Sequence, residues 1–161
     1  MKDFKVADLC DDNLDKVTIA DAIGFNSYGS KKRFGGKIHT LKCFEDHSYV
    51  TKIASTDGTG KVLVVDGGAS PRCAIVGDKI SSLAIKNNWE GIIVYGSIRD
   101  AATIATLNLG VLALHVYPIS KTTSTDWETQ VEVTFAGTVF KPGHFVYVDE
   151  DGIITSENRL V

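Results

Sequence analysis

The chain has 161 residues, 43% hydrophobic and 23% charged, with a net charge of −3. This is enough apolar material for one well-filled core, and it excludes a disordered chain. The slight acidic excess argues against direct nucleic-acid binding, because a surface that tracks phosphates needs surplus Lys and Arg.

The opening residues, from Met1 to Val6, carry no apolar signal region, and no apolar run is long enough to span a bilayer. A cytoplasmic protein with no membrane partner is expected. Cys10, Cys43 and Cys73 are odd in number and lack metal-ligand spacing, which fits free thiols in a reducing compartment. Residues 6–24 scatter Val6, Leu9, Leu14, Val17, Ile19 and Ile23 among aspartates and read as one or two short helices. Asn26–Ser30 reads as a loop, and Lys31-Lys32-Arg33 as a solvated basic patch.

Gly36–Phe44 alternates with period two and predicts a strand. Glu45–Ser55 predicts a helix, ended by Thr56-Asp57-Gly58-Thr59-Gly60. Lys61–Asp66 and Gly91–Tyr95 are continuous apolar runs bounded by glycines, as in strands buried on both faces of a parallel sheet. Between them, Asp78–Asn88 carries a helical stripe of Ile80, Leu83 and Ala84. Strand, helix and strand in that order make a βαβ unit.

Gly67-Gly68-Ala69-Ser70 lacks the spacing of a nucleotide-binding loop, and it is expected to form a wall of the ligand pocket instead. A short helix over Asp100–Leu107 leads to a strand over Val111–Val116. Thr129–Phe135 alternates as a strand and Gly137–Phe140 is a short one. Phe145–Val148 returns through Asp149-Glu150-Asp151-Gly152 to Ile153-Ile154, a hairpin signal. The expectation is a single α/β domain over residues 1–161, with a βαβ core and a β-rich C-terminal layer.

Three side chains carry most of the chemistry. If Asp78 is the N-cap of its helix, the amides that follow are unpaired and aligned with the positive end of the helix dipole. A carboxylate can dock there, and Gly77 permits close approach to the backbone. Plain capping is the simpler alternative. Arg99, just beyond a buried strand, offers a planar fork that matches a carboxylate; a salt bridge to Asp100 is the alternative. Asp100 either caps the next helix or offers one carboxylate to Mg²⁺ or Mn²⁺ retaining most of its waters. His39, His47, His115 and His144 show no pairing that marks a cluster, and His39 and His115 fall within strands.

Three blocks, Phe34–Asp46, Gly60–Gly68 and Trp89–Gly96, closely resemble the RraA/MenG-like family. That family includes regulator of ribonuclease activity A and the class II 4-hydroxy-4-methyl-2-oxoglutarate aldolases. The resemblance runs from about Asp8 to Ser156. It implies a swivelling β/β/α fold and a homotrimer with active sites in clefts between subunits. The aldolase branch resembles Asp, twenty intervening residues, then Arg-Asp, and here those positions are Asp78, Arg99 and Asp100.

By that resemblance, the backbone of Gly77, Asp78, Lys79 and Ile80 binds a pyruvate carboxylate, with Arg99 gripping the same unit. Asp100 ligates a divalent metal, and Asp78 holds a water that passes the proton. The implied substrate is a small 2-oxo acid: 4-hydroxy-4-methyl-2-oxoglutarate for aldol cleavage, or oxaloacetate for decarboxylation. Thr103 stands where the aldolase pattern has an acidic residue, a departure that favours decarboxylation, which needs less proton management. The alternative implied by the same family is a non-catalytic regulator that binds ribonuclease E. Nothing in the chain resembles a methyl-donor site, so a methyltransferase label sometimes given to the family is rejected.

Overall fold

In the computed structural model, which describes residues 3–123 and 126–161, four helices and twelve strands follow one another along the chain. They are α1 (Val6–Asn13), β1 (Val17–Ile19), β2 (Asn26–Ser27), β3 (Phe34–Lys42), α2 (His47–Ala54), β4 (Lys61–Asp66), β5 (Ala74–Val76) and α3 (Asp78–Lys86). There follow β6 (Gly91–Ile98), α4 (Ala101–Ile104), β7 (Gly110–Val116), β8 (Glu128–Thr129), β9 (Val133–Phe135), β10 (Thr138–Phe140), β11 (Phe145–Asp149) and β12 (Gly152–Ser156). No helix among the described residues is long and apolar enough to cross a membrane.

The sheet runs β1-β12-β11-β3-β4-β6-β7-β2. Its centre, β3-β4-β6-β7, is parallel, and the flanking strands are antiparallel. Of the central strands, β4 and β6 are buried on both faces, as their unbroken apolar runs predict. Leu63, Val65, Ile92 and Val94 pack under α2 and α3 with Val50, Ile53 and Ala84. Val62, Val64 and Ile93 point the other way, onto the β9–β10 hairpin and Phe140. Each such side chain removed from water contributes ~1.5–3 kcal/mol before entropy is charged against it. A helix layer, a sheet and a small second β layer therefore stack in the expected β/β/α order.

The hairpin is pinned by rings. Phe135 stacks on Tyr95 at 4.7 Å between centroids and on Phe140 at 4.4 Å. Its two-residue turn is Ala136-Gly137, both at positive φ, the backbone a type I′ turn requires. A third apolar cluster joins α1 to Tyr147 and Ile154, with Phe4 meeting the Tyr147 ring edge-on.

Several sequence expectations are corrected. Residues 6–24 hold one helix and then the edge strand β1, because Val17–Ile19 finds an antiparallel partner in β12. Thr129–Phe135 is not one strand. Gln130 adopts φ 57, so β8 ends against β3 and β9 joins the other layer. The helix expected over Asp100–Leu107 is one turn, α4. The strand beginning at Gly91 continues through Gly96 to Ile98, since β5 supplies a new parallel partner where β4 ends.

The basic run is tied down rather than freely solvated. Lys31 pairs with Glu90, Arg33 with Asp3, and Lys32 bonds the Ser27 and Gly29 carbonyls.

Candidate active site

The short pairing of β5 with the end of β6 builds the site. The Arg99 amide donates to the Val76 carbonyl at 2.9 Å, setting Arg99-Asp100 beside Gly77-Asp78. The start of α3 and the tip of β6 therefore converge. Both pairs line a cleft of about 330 Å³, together with Lys79 and Ile80. The position suits a ligand: it lies at the carboxyl ends of parallel strands and at the N-terminus of a nine-residue helix.

Within the cleft, Asp100 Oδ2 accepts the Asp78 amide at 3.3 Å and lies 3.5 Å from Arg99 Nε. Arg99 and Asp100 remain substantially open to solvent, at 41% and 37% of side-chain exposure, so both heads are available to a ligand. Asp100 itself is at φ 58, a left-handed backbone that Asp tolerates better than most residues. Gly77 is required by close approach: a Cβ there would lie 2.7 Å from Asp100 Oδ2.

Three expectations about these residues change. Gly77, not Asp78, is the N-cap of α3, and Asp78 is the first helical residue. The first-turn amides are not all open. Asp78 N–H is taken by Asp100, and Lys79 N–H by the Asp78 carboxylate at 2.7 Å. The Ile80 amide has no partner among the described residues. Asp100 occupies the N-cap position of α4 but makes no capping hydrogen bond, which frees its carboxylate for the cleft.

Gly67–Ser70 does not form a wall of this cleft. Gly68 instead lines a separate depression with Lys42, Phe44, Asp66 and Trp127.

Other lining residues escaped the sequence reading. His47 and Thr51 come from one face of α2, Ala74–Val76 form an apolar floor, and Ser120 enters from the segment after β7. The only available signal was the i, i+4 spacing of His47 and Thr51. The Ser120 segment is fastened on both sides. Ala74 N–H donates to the Ile119 carbonyl at 2.8 Å, and Lys121 Nζ meets Glu45 Oε2 at 2.8 Å. Glu45 is buried, with Ser70 and Arg72 as further partners at 2.7 and 3.0 Å. Lys121, Ser70 and Arg72 together hold its carboxyl at about 2, well below the usual range.

A cysteine nucleophile finds no support. Burial pushes the Cys43 thiol up to about 12 and that of Cys73 upward as well. The hard oxygen donors at the cleft are Asp78 and Asp100. No group of three or more His, Cys, Asp or Glu side chains is arranged as a metal cage among the described residues. One or two carboxylates on an open cleft fit Mg²⁺ or Mn²⁺ that keeps several waters and leaves room for substrate oxygens.

A layered β/β/α domain with a cleft between a helix start and a strand end defines the class. A family model described as RraA-like (Aldolase/RraA) matches residues 6–155, and the chain belongs to that family. A relative from Alcanivorax borkumensis, provisionally named 4-hydroxy-4-methyl-2-oxoglutarate aldolase, is 49% identical over 98% of this chain and 99% of its own. The solved structure of an S-adenosylmethionine:2-dimethylmenaquinone methyltransferase from Geobacillus kaustophilus superposes with TM-score 0.94 at 37% identity, covering 98% and 97% of the chains. That of the RNA-processing inhibitor RraA from Thermus thermophilis gives TM-score 0.93 at 31% identity, covering 99% and 96%.

Proposed function

We propose that this protein is a divalent-metal-dependent lyase of 2-oxo acids, cleaving 4-hydroxy-4-methyl-2-oxoglutarate to two molecules of pyruvate and decarboxylating oxaloacetate. One observation carries the reading: the Asp78 backbone amide and the Asp100 carboxylate, 22 residues apart in sequence, meet at 3.3 Å beside Arg99 in one cleft. The provisional aldolase names of full-length relatives support it.

The chemistry assigns each group a task. The substrate carboxylate docks on the Gly77–Ile80 backbone and on the Arg99 guanidinium, which also places fixed positive charge near the keto group. A divalent cation held by Asp100 supplies Lewis-acid polarisation of the keto oxygen. In aldol cleavage the bond between carbons 3 and 4 breaks and its electron pair passes to the keto group. The hydroxyl proton on carbon 4 leaves through water held by Asp78, and carbon 3 takes up a proton to complete pyruvate. Decarboxylation follows the same electron path with CO₂ departing.

The assembly we propose is a homotrimer with the cleft at a subunit boundary. Val116 and Ile119, 51% and 57% exposed near the Ser120 segment, are apolar surface that such a boundary covers.

The test is pyruvate release from each substrate with Mg²⁺ or Mn²⁺. The expected result is release that is lost with EDTA and in Arg99→Ala and Asp100→Ala. Release no faster than with metal alone sinks the lyase. The second reading, a regulator docking on ribonuclease E, then takes its place, on the strength of the likeness to the RNA-processing inhibitor.

A further inference from the structure

Two polar side chains of the cleft have no task in the reaction just described. His47 begins α2 and Ser120 lies on the segment after β7; both line the cleft and both are half-buried. Neither the imidazole nor the hydroxyl has a hydrogen-bond partner among the described residues. Both polar heads keep solvent access, since Arg33 Nε is the one buried side-chain nitrogen or oxygen without a partner among the described residues, so an unpartnered pair lining a concave site is free to meet a ligand.

Their backbones, in contrast, are firmly placed. The His47 amide donates to the Lys121 carbonyl at 3.3 Å, and the His47 carbonyl accepts the Thr51 hydroxyl at 3.0 Å. The Ser120 segment is fixed by the Ala74–Ile119 hydrogen bond and by the Lys121–Glu45 ion pair. A rigid frame carrying idle donors is the arrangement of a preorganised recognition site. The pair also comes from elements other than those holding Arg99 and Asp100, so the cleft has a second polar region across an apolar floor of Ala74, Ile75 and Val76. Its 330 Å³ falls in the range of small-molecule sites, ~300–1,000 Å³, and accommodates more than a three-carbon acid.

We propose that His47 and Ser120 bind the second carboxylate of a dicarboxylic aldol substrate, and so set the balance between aldol cleavage and decarboxylation. The inference rests on the lyase reading and goes beyond it. The two reactions make opposite demands on that carboxylate. Aldol cleavage leaves it intact on the departing pyruvate, so hydrogen bonds to it persist from substrate to product and hold the leaving fragment in line. In oxaloacetate the second carboxylate is one bond nearer the keto group and is itself the group that leaves as neutral CO₂, so donors that stabilise its charge oppose the step. A donor pair at this place therefore favours cleavage over decarboxylation.

The experiment compares kcat/KM for 4-hydroxy-4-methyl-2-oxoglutarate with kcat/KM for oxaloacetate, both with Mg²⁺, in wild type, His47→Leu, His47→Gln and Ser120→Ala. The expected result is that the cleavage-to-decarboxylation ratio falls roughly tenfold to a hundredfold in His47→Leu, the loss of one charge-assisted hydrogen bond. The fall is carried by KM for the aldol substrate. His47→Gln, which keeps a donor, recovers part of it, and Ser120→Ala shows a smaller fall in the same direction. A ratio within twofold of wild type in all three variants, or both reactions falling in proportion, overturns the proposal while leaving the lyase intact. Absence of both reactions in the wild type overturns the lyase reading and this inference with it.

Discussion

The Asp100 carboxylate sits on the first turn of α3, accepting the Asp78 amide at 3.3 Å. The chain thus places one of its own carboxylates where a substrate carboxylate is expected to dock. Removing that side chain frees the amide. With EDTA present, a non-chelating acid such as propionate should bind Asp100→Ala about threefold to tenfold more tightly than wild type, read by calorimetry. Asp100→Asn should fall between them, since an amide oxygen still accepts the hydrogen bond without the charge. Equal affinities for all three proteins would show that Asp100 does not guard the helix terminus.

Gly77 separates site geometry from stability. Its backbone is extended, so alanine is not strained there, but the new Cβ meets Asp100 Oδ2 at 2.7 Å. The cheapest relief is rotation of that short side chain away from Asp78. Gly77→Ala should therefore keep its unfolding free energy within ~1 kcal/mol of wild type while pyruvate release falls roughly tenfold or more. A large loss of stability instead would mean that the backbone, not the carboxylate, gives way.

What the sequence discloses follows from how local the determinants are. Lys61–Asp66 is legible residue for residue because glycines bound an unbroken apolar run, and the hairpin at Asp149–Gly152 because its turn chemistry is local. Val17–Ile19 and Ala74–Val76 are three residues each, and only their partners, β12 and β6, make them strands. The site divides in the same way. Asp78, Arg99 and Asp100 are visible through spacing and family likeness. His47 and Ser120 reach the cleft only because α2 packs over β5 and the Ile119 carbonyl bonds Ala74, contacts between segments distant in sequence. Gly67–Ser70 misleads for a complementary reason: a glycine-rich turn after a strand looks like a ligand loop wherever it points.

The buried Glu45 predicts an acid limb. Its folded value of about 2 lies below the ordinary 4.5, held down first by Lys121 and then by Ser70 and Arg72. The unfolded chain therefore binds the proton more readily. The stabilisation is fully present above pH ~4.5 and is lost as pH falls toward 2. Glu45→Gln should be less stable than wild type at pH 7 by about 1–3 kcal/mol, discounted because Arg72 and Lys121 are well exposed. The gap should narrow as urea titrations are repeated from pH 5 to pH 3. A gap constant with pH would mean that packing, not charge, explains the loss.

Phe34 tests the core at the opposite end of the parallel strands. Gly91 and Gly110 are paired across β6 and β7, and the buried Phe34 ring lies against both. A Cβ at Gly91 would come within 2.2 Å of the ring, and one at Gly110 within 2.1 Å. No rotamer of a fully packed phenylalanine absorbs such an overlap, so Gly91→Ala should cost about 3 kcal/mol. Phe34→Leu alone leaves a small void and should cost about 1–2 kcal/mol. Combined, the smaller side chain makes room for the added methyl, and the double variant should be more stable than the sum of the two losses by at least ~1 kcal/mol. Denaturant titrations at one fixed protein concentration read the cycle, so that any association contributes equally to all four proteins. Strict additivity would place the cost of Gly91→Ala in the strand backbone itself rather than in the ring it meets.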